Sequence, residues 1–331
     1  MREMLVNAVT TRSRWTIPAL ATRVVRYADL KPCYNAFIDT RSPGSEAKEN
    51  FTIIGPGVSE NSEQHVHIAE PHGFNIGGAR QPPDCINSQH SHDTAEVFVV
   101  HSGTWSFNLG ERGDEVRVTC RPGDTISLPT GMFRGFTNIG DDRGFLWAIL
   151  GGDNPGRVTW APAVFDMAAD YGLVLLESGS LVDTAAGQSV PAGERPMPRT
   201  TPAQTAALRL PTAAEAETLV VRAGLDTAAV IGPDAPLAWP HGFTVDRVMV
   251  DGDRDLDLAG SVIFIHRGRL AIDVAEGQID LAEGDTMTVP ADVGEHAVRG
   301  DAATVFRVLR ECTPTSATGA KVGIRSTCPT L

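Results

Sequence analysis

The stretch His90-Ser-His92-Asp-Thr-Ala-Glu96-Val-Phe98-Val-Val-His101-Ser-Gly103 carries the decisive pattern of this 331-residue chain. Side chains two apart on a strand share a face, so His90 and His92 point the same way and Glu96 keeps their parity. Two imidazoles and a carboxylate on one side can bind a divalent metal and leave coordination positions open. Non-haem Fe(II) sites use this donor set, with oxygen and substrate in the open positions. The donors do not fix the ion: Fe(II) is the favoured choice, and Mn, Ni, Zn or Cu suit them as well. The bland alternative, surface or hydrogen-bonded core histidines, is the default for an isolated His-x-His pair.

Outward from this stretch the sequence is short-period and rich in turn formers, with 33 Gly and 22 Pro. Ala95–Val100, Thr125–Pro129, Gly144–Leu150, Ser261–Ile265, Arg269–Val274 and Thr286–Pro290 read as strands. The best helix is Ala163–Tyr171, behind Pro162. Three matches recur in the same order. Pro71-His72-Gly73-Phe74 returns as Pro240-His241-Gly242-Phe243. Glu96–Gly103 returns as Ser261–Gly268, and Gly123-Asp124-Thr125 with Pro129 returns as Gly284-Asp285-Thr286 with Pro290. Ordered matches of this kind indicate two copies of one β domain. Between them Glu177–Ala206, rich in Ser, Ala, Gly, Pro and Thr, reads as a linker.

The spacing His90-x-His92-x3-Glu96-x6-Gly103, followed by Gly123-x5-Pro129-x-Gly131-x2-Arg134-x3-Asn138, resembles the two motifs of the cupin superfamily. The chain looks like a two-domain cupin, a bicupin similar to cupin dioxygenases. That resemblance implies an all-β fold of two tandem double-stranded β-helix, or jelly-roll, barrels with few short helices. The expected organisation is an N-terminal extension with strands over 1–50, a metal-bearing barrel over 51–176, the linker over 177–206 and a degenerate barrel over 207–331.

Two positions depart from the family pattern. Asp84 stands where a Gly usually opens the first motif, and Arg134 replaces the second motif's ligand histidine. A guanidinium has no free lone pair and cannot be a ligand, so His90, His92 and Glu96 remain. If the motif geometry holds, Arg134 faces the cavity as a catalytic cation, clamping a substrate anion or stabilising an oxyanion. The alternative is a salt bridge from Arg134 to Glu96 with no metal bound at all. Phe98 and Phe136 share parity with Glu96 and Arg134, and with Trp147 they are the expected substrate pocket. In the second copy the positions of His90, His92 and Glu96 become Asp255, Asp257 and Ser261, and only His296 survives, near the second-motif histidine position after a one-residue insertion. His65-x-His67 has no matching carboxylate beyond the loosely placed Glu70 and reads as a strand pair. His101 and His266 have outward parity. Gly77-Gly78-Ala79-Arg80 lacks a strand–helix context for a dinucleotide, and Arg80 is a second candidate cation at the pocket mouth.

The net charge of −13 argues against nucleic-acid and anionic-membrane partners, which call for a Lys/Arg surface. Cys33, Cys85, Cys120, Cys312 and Cys328 are scattered and odd in number, against a disulfide framework. The N-terminal residues have no continuous apolar run like that of a secretory signal, and a cytoplasmic location is expected. The expected partners are a small-molecule substrate and O2, with assembly into a homo-oligomer left open. The resemblance implies a metal-dependent dioxygenase oxidising or cleaving a small phenolic or anionic compound. Two alternatives stay open: an isomerase, cyclase or lyase using the metal as a Lewis acid, and a small-molecule-binding cupin without turnover.

Overall fold

The computed structural model describes Trp15–Glu311, so Cys312 and Cys328 lie outside the described residues. Contacts divide the described chain into two compact units. One is Ala28–Val245, and the other joins the residues up to Tyr27 to those from Asp246 onward. This division departs from the expected boundaries. Val220–Val221, expected in the second barrel, pairs with Thr125–Leu128 at the edge of the larger unit's sheet. Val24–Val25, expected in the N-terminal extension, pairs with Thr286–Thr288 in the smaller unit. Each satisfies edge backbone groups that a compact sheet would otherwise leave open.

The larger unit is a β-barrel of two sheets. A five-stranded sheet runs, in spatial order, Val158–Trp160, Ile86–His92, Arg134–Asn138, Trp105–Leu109, Val116–Cys120. A seven-stranded sheet runs Val220–Val221, Thr125–Leu128, Glu96–Ser102, Gly144–Gly151, Phe74–Gln81, Glu49–Ile54, Val66–Ile68. Inward side chains from both sheets, among them Phe98, Trp105, Phe107, Ile126, Phe136 and Leu146, form one buried core. Burial of this kind contributes about 25 cal/mol per Å² of apolar surface and holds the sheets together. The expected helix forms as Pro162–Asp170.

The glycine of the first motif has a clear physical cause. Gly103 has φ +83°, and a Cβ there would lie 2.7 Å from the Gly144 Cα. Asp84, at the position of the missing motif glycine, keeps the left-handed conformation with φ +61°, which Asp tolerates better than most residues. Its N–H donates to the Asn138 carbonyl at 2.7 Å, and Asn138 Nδ2 donates to the Gln81 carbonyl at 2.9 Å. The end of the second motif therefore anchors the turn that launches the His90–His92 strand.

The expected linker is partly structured. Leu181–Asp183 pairs with Leu173–Leu175, and Asp183 forms an ion pair with Arg41. The two-residue periodicity of Leu-Val-Asp is too short to register against its Ser/Gly-rich flanks. Pro202–Ala206 is a capped helical turn.

In the smaller unit the sheet runs Val24–Val25, Thr286–Thr288, Ser261–Val274, His296–Arg310 and then the part of strand Phe243–Arg254 from Asp246 onward, with Gly277–Ala282 paired to Ser261–Val274. The two strands expected over 261–274 are one, with register shifts on either side of Arg267. Gly268, at φ +71°, absorbs that irregularity without ending the strand. The interior is filled by aliphatic side chains including Ile263, Ile265, Leu270, Ile272, Val298 and Val305. His296 Nε2 accepts the Leu258 N–H at 3.0 Å, and the Ser261 hydroxyl donates to the Leu258 carbonyl at 2.6 Å. Ser261, at the position of Glu96, and His296, near that of Arg134, thus serve backbone bonding. All described helices are short, and none is long and apolar enough to cross a membrane.

Candidate metal centre

His90 and His92 lie on Ile86–His92 of the five-stranded sheet, while Glu96 opens Glu96–Ser102 of the seven-stranded sheet. Residues 93–95 turn between the two. The donors therefore converge across the barrel and not along one strand, although parity alone would have grouped them. His90 is flanked in register by Arg134 on one side and Trp160 on the other. The metal-capable atoms of His90, His92 and Glu96 all lie within 4.8 Å of one another.

Burial and hydrogen bonding set the donors' protonation. His90 Nδ1 donates to the Ser88 carbonyl at 2.7 Å, which leaves Nε2 with the lone pair. Burial, reinforced by Arg134, pushes the His90 pKa down to about 3 and holds His92 well below its usual range. Both rings are neutral at pH 7, the form a metal requires. Burial drives the Glu96 carboxyl upward, and the guanidinium of Arg134 works against that rise.

These residues fit a divalent cation. His92 Nε2 lies 3.5 Å from Glu96 Oε2, and Arg134 Nη2 lies 3.4 Å from the same oxygen. Both exceed the 2.7–3.2 Å of a good N–H···O bond. His92 Nδ1 is buried without a hydrogen-bond partner among the described residues. At metal–ligand distances near 2.0–2.2 Å, neighbouring ligand atoms sit about 3 Å apart or slightly more. The spacing of the three donors matches that arrangement better than a hydrogen-bonded cluster.

The cluster lines a cavity with about 80 Å³ open to water-sized groups. Small residues on the seven-stranded sheet, Gly77, Ala79 and Ala148, make the room, and Phe37, Phe98, Phe136 and Trp160 wall it. Trp147 is not on that wall: it pairs with Gly78 and Val99 on the outward face, while its neighbours Leu146 and Ala148 point in. Strand alternation excludes it from the pocket. Arg134 is fully buried but is absent from the cavity wall, because its guanidinium is drawn to Glu96 and to the Met132 carbonyl at 3.3 Å. The expected direct clamp on substrate gives way to a cation behind the carboxylate ligand. Arg80 is bound to Glu49 and covers Phe51.

The remaining histidine candidates have local partners. His67 bonds the Thr52 carbonyl and the Lys31 N–H, and His241 bonds Ser127 at 2.7 Å. His72 Nδ1 bonds the Glu70 carbonyl at 2.7 Å. Cys33, Cys85 and Cys120 are free thiols.

Several site residues have no sequence signal because they precede or follow the motifs. Trp160 lies against the His90 ring, with centroids 5.3 Å apart. Behind the histidine strand, Asp39 and Lys48 form a fully buried ion pair. Asp39 also accepts the Ser88 N–H at 3.0 Å, and Lys48 reaches Asn87 Oδ1 at 3.4 Å. The pair therefore grips Asn87 and Ser88, just ahead of His90 on the same strand, the kind of support that orients metal ligands.

Glu60 accepts the Trp160 indole N–H at 2.6 Å and the Ile38 N–H at 2.7 Å. Burial nevertheless raises its pKa from 4.5 to about 8. A folded-state pKa above the unfolded one gives stability that is complete below the unfolded value and lost as pH rises through the folded one. Unfolding free energy should therefore fall between pH 4.5 and about 8 from this group. Urea titrations across that window should show the slope in the native protein and not in Glu60→Gln. Equal slopes in both would remove Glu60 as the cause.

Comparison with known proteins agrees with the architecture. Residues 79–149 match the Cupin domain family. A germin-like protein of Mesembryanthemum crystallinum is 33% identical over 100 residues, covering 28% of this chain and 43% of that protein. Germin-like protein subfamily 1 member 7 of Arabidopsis thaliana is 28% identical over 142 residues, covering 38% of this chain and 62% of that one. The chain thus spans less than two thirds of the length of either curated relative. Oxalate decarboxylase from Bacillus subtilis shares the fold, with TM-score 0.52 and 12% identity over 87% of this chain and 76% of that chain.

Proposed function

We propose that this two-barrel protein of the cupin superfamily is a metal-dependent enzyme that uses O2 to oxidise or cleave a small phenolic or anionic organic compound. The carrying observation is the buried His90–His92–Glu96 cluster, with donor atoms within 4.8 Å, at the wall of a small aromatic-lined cavity. In this reading the three side chains hold one divalent cation, with Fe(II) favoured. When bound, that ion supplies positions where substrate oxygens and O2 can meet.

The chain's own residues do the rest. His90 and His92 stay neutral and present lone pairs, because burial removes their protons. Arg134 steadies the Glu96 carboxylate from behind through its 3.4 Å contact. Phe98, Phe136 and Trp160 exclude water and offer flat apolar surface to a planar substrate. The His90 ring is oriented by the Ser88 carbonyl. The smaller unit, its interior closed by aliphatic packing, serves as a structural domain.

Elemental analysis of protein expressed in metal-replete medium should find about one transition metal per chain. An oxygen-electrode screen of phenols and keto acids should then find substrate-dependent O2 uptake. Turnover without O2 uptake would replace this reading with Lewis-acid chemistry on the same site. Ligand binding by metal-free protein, with no turnover, would replace it with a binding protein.

A further inference from the structure

We propose that the cavity selects a small molecule whose end remote from the metal-binding group is polar and uncharged, with Asn50 as the residue that recognises it. The inference rests on the metal reading above and adds a substrate class to it. Among the described residues no Lys or Arg lines the cavity. Arg134 is turned to Glu96, and Lys48 is paired with Asp39. A second carboxylate entering here would lose its water and meet no opposite charge on the wall.

The polar side chains on the wall, apart from the donor cluster, are Asn50, Thr52, Ser59, Gln64 and Asn87. Four of them are committed. The Thr52 hydroxyl donates to Gln64, and Gln64 Nε2 donates to the Pro56 carbonyl at 2.8 Å. Ser59 donates to the Ala36 carbonyl at 3.3 Å, and Asn87 is held between Lys48 and His90. Asn50 differs: its Nδ2 is buried with no hydrogen-bond partner among the described residues. Asn50 pairs with Ala79, which pairs with Leu146, so it shares their inward face, three strands from Glu96 on the same sheet. A buried amide left unpaired is unfavourable unless something in the cavity meets it. The unpaired Nδ2–H is a donor, so its complement is an acceptor, and with no cation on the wall that acceptor is the oxygen of a neutral carbonyl, hydroxyl or amide. Asn50 then acts on specificity and leaves the metal alone.

The test uses Co2+-loaded protein and probes that share one α-hydroxycarboxylate head, so that head affinity cancels. Visible absorption of the bound Co2+ reads the binding of malate against malamate, and of 2-hydroxyglutarate against its terminal amide. The amide-tailed probe should bind at least about tenfold more tightly than the dianion at one or both lengths. Asn50→Leu should weaken the amide-tailed probes about fivefold or more and leave 2-hydroxybutyrate, whose tail is apolar, unchanged. Loaded protein that takes the dianions as tightly as the amides, or takes none of the probes, overturns the inference and leaves the metal reading standing. An Asn50→Leu protein that keeps the full preference for the amides removes Asn50 from the role. Failure to bind Co2+ at all overturns the metal reading, and this inference with it.

Discussion

His92→Ala is expected to lower affinity for a divalent metal by at least about 100-fold and to abolish any turnover, while the protein still folds. The magnitude follows from scale: altering a residue that only supports a ligand typically costs 10–100-fold, so losing the ligand itself costs no less. Among the described residues the His92 Nδ1 has no hydrogen-bond partner, and its Nε2 lies 3.5 Å from Glu96 Oε2. Its removal therefore takes little from the barrel's bonding network. Metal content after dialysis, with a thermal melt of the same sample, checks both halves of the expectation. Full metal occupancy in a folded His92→Ala protein would show that the ion is held elsewhere.

Arg134→Met should act in opposite directions on stability and on metal affinity. In metal-free protein the change leaves the Glu96 carboxylate buried without its cation, and breaking a buried pair from one side typically costs about 3–5 kcal/mol. Added metal should recover much of that loss, because a ligand that binds only the folded state stabilises it in proportion to its affinity. The affinity itself should rise, since a positive charge 3.4 Å from Glu96 Oε2 no longer opposes the incoming cation. Urea unfolding with and without Mn2+ or Co2+ measures both effects. Metal-free stability equal to that of the native protein would mean that Glu96 is already protonated there. Loss of metal binding would mean that Arg134 is needed to hold Glu96 in place. Binding of anionic probes should be little changed, because Arg134 does not line the cavity.

The sequence showed the donors and not their paths to one another. Parity grouped His90, His92 and Glu96 as if on a single strand, yet a turn at 93–95 places Glu96 on the opposite sheet. The grouping survives because the motif spacing encodes the whole hairpin. A guanidinium cannot ligate, which the sequence alone says of Arg134, but the direction of its side chain was not legible. A one-letter pattern places a residue on a face, and only the neighbouring charges decide which way a long flexible side chain reaches. Trp147 failed for a simpler reason: a run of eight buried residues, Gly144–Gly151, shows no hydrophobic alternation from which to choose the inward face.

By itself the sequence determined the class of fold, the duplication, the triad of ligand-type residues and the loss of that triad in the second copy. All of these are written in local spacing, where strand periodicity and special backbone conformations constrain residues a few positions apart. Tertiary structure alone decided which residues surround the triad. Asn50, Asp39, Lys48 and Trp160 reach its cavity or its strand from positions about 40 to 70 residues away, through sheet pairing and burial that carry no local signature. Side-chain burial and charge compensation depend on the whole barrel closing, so they become visible only once it has closed.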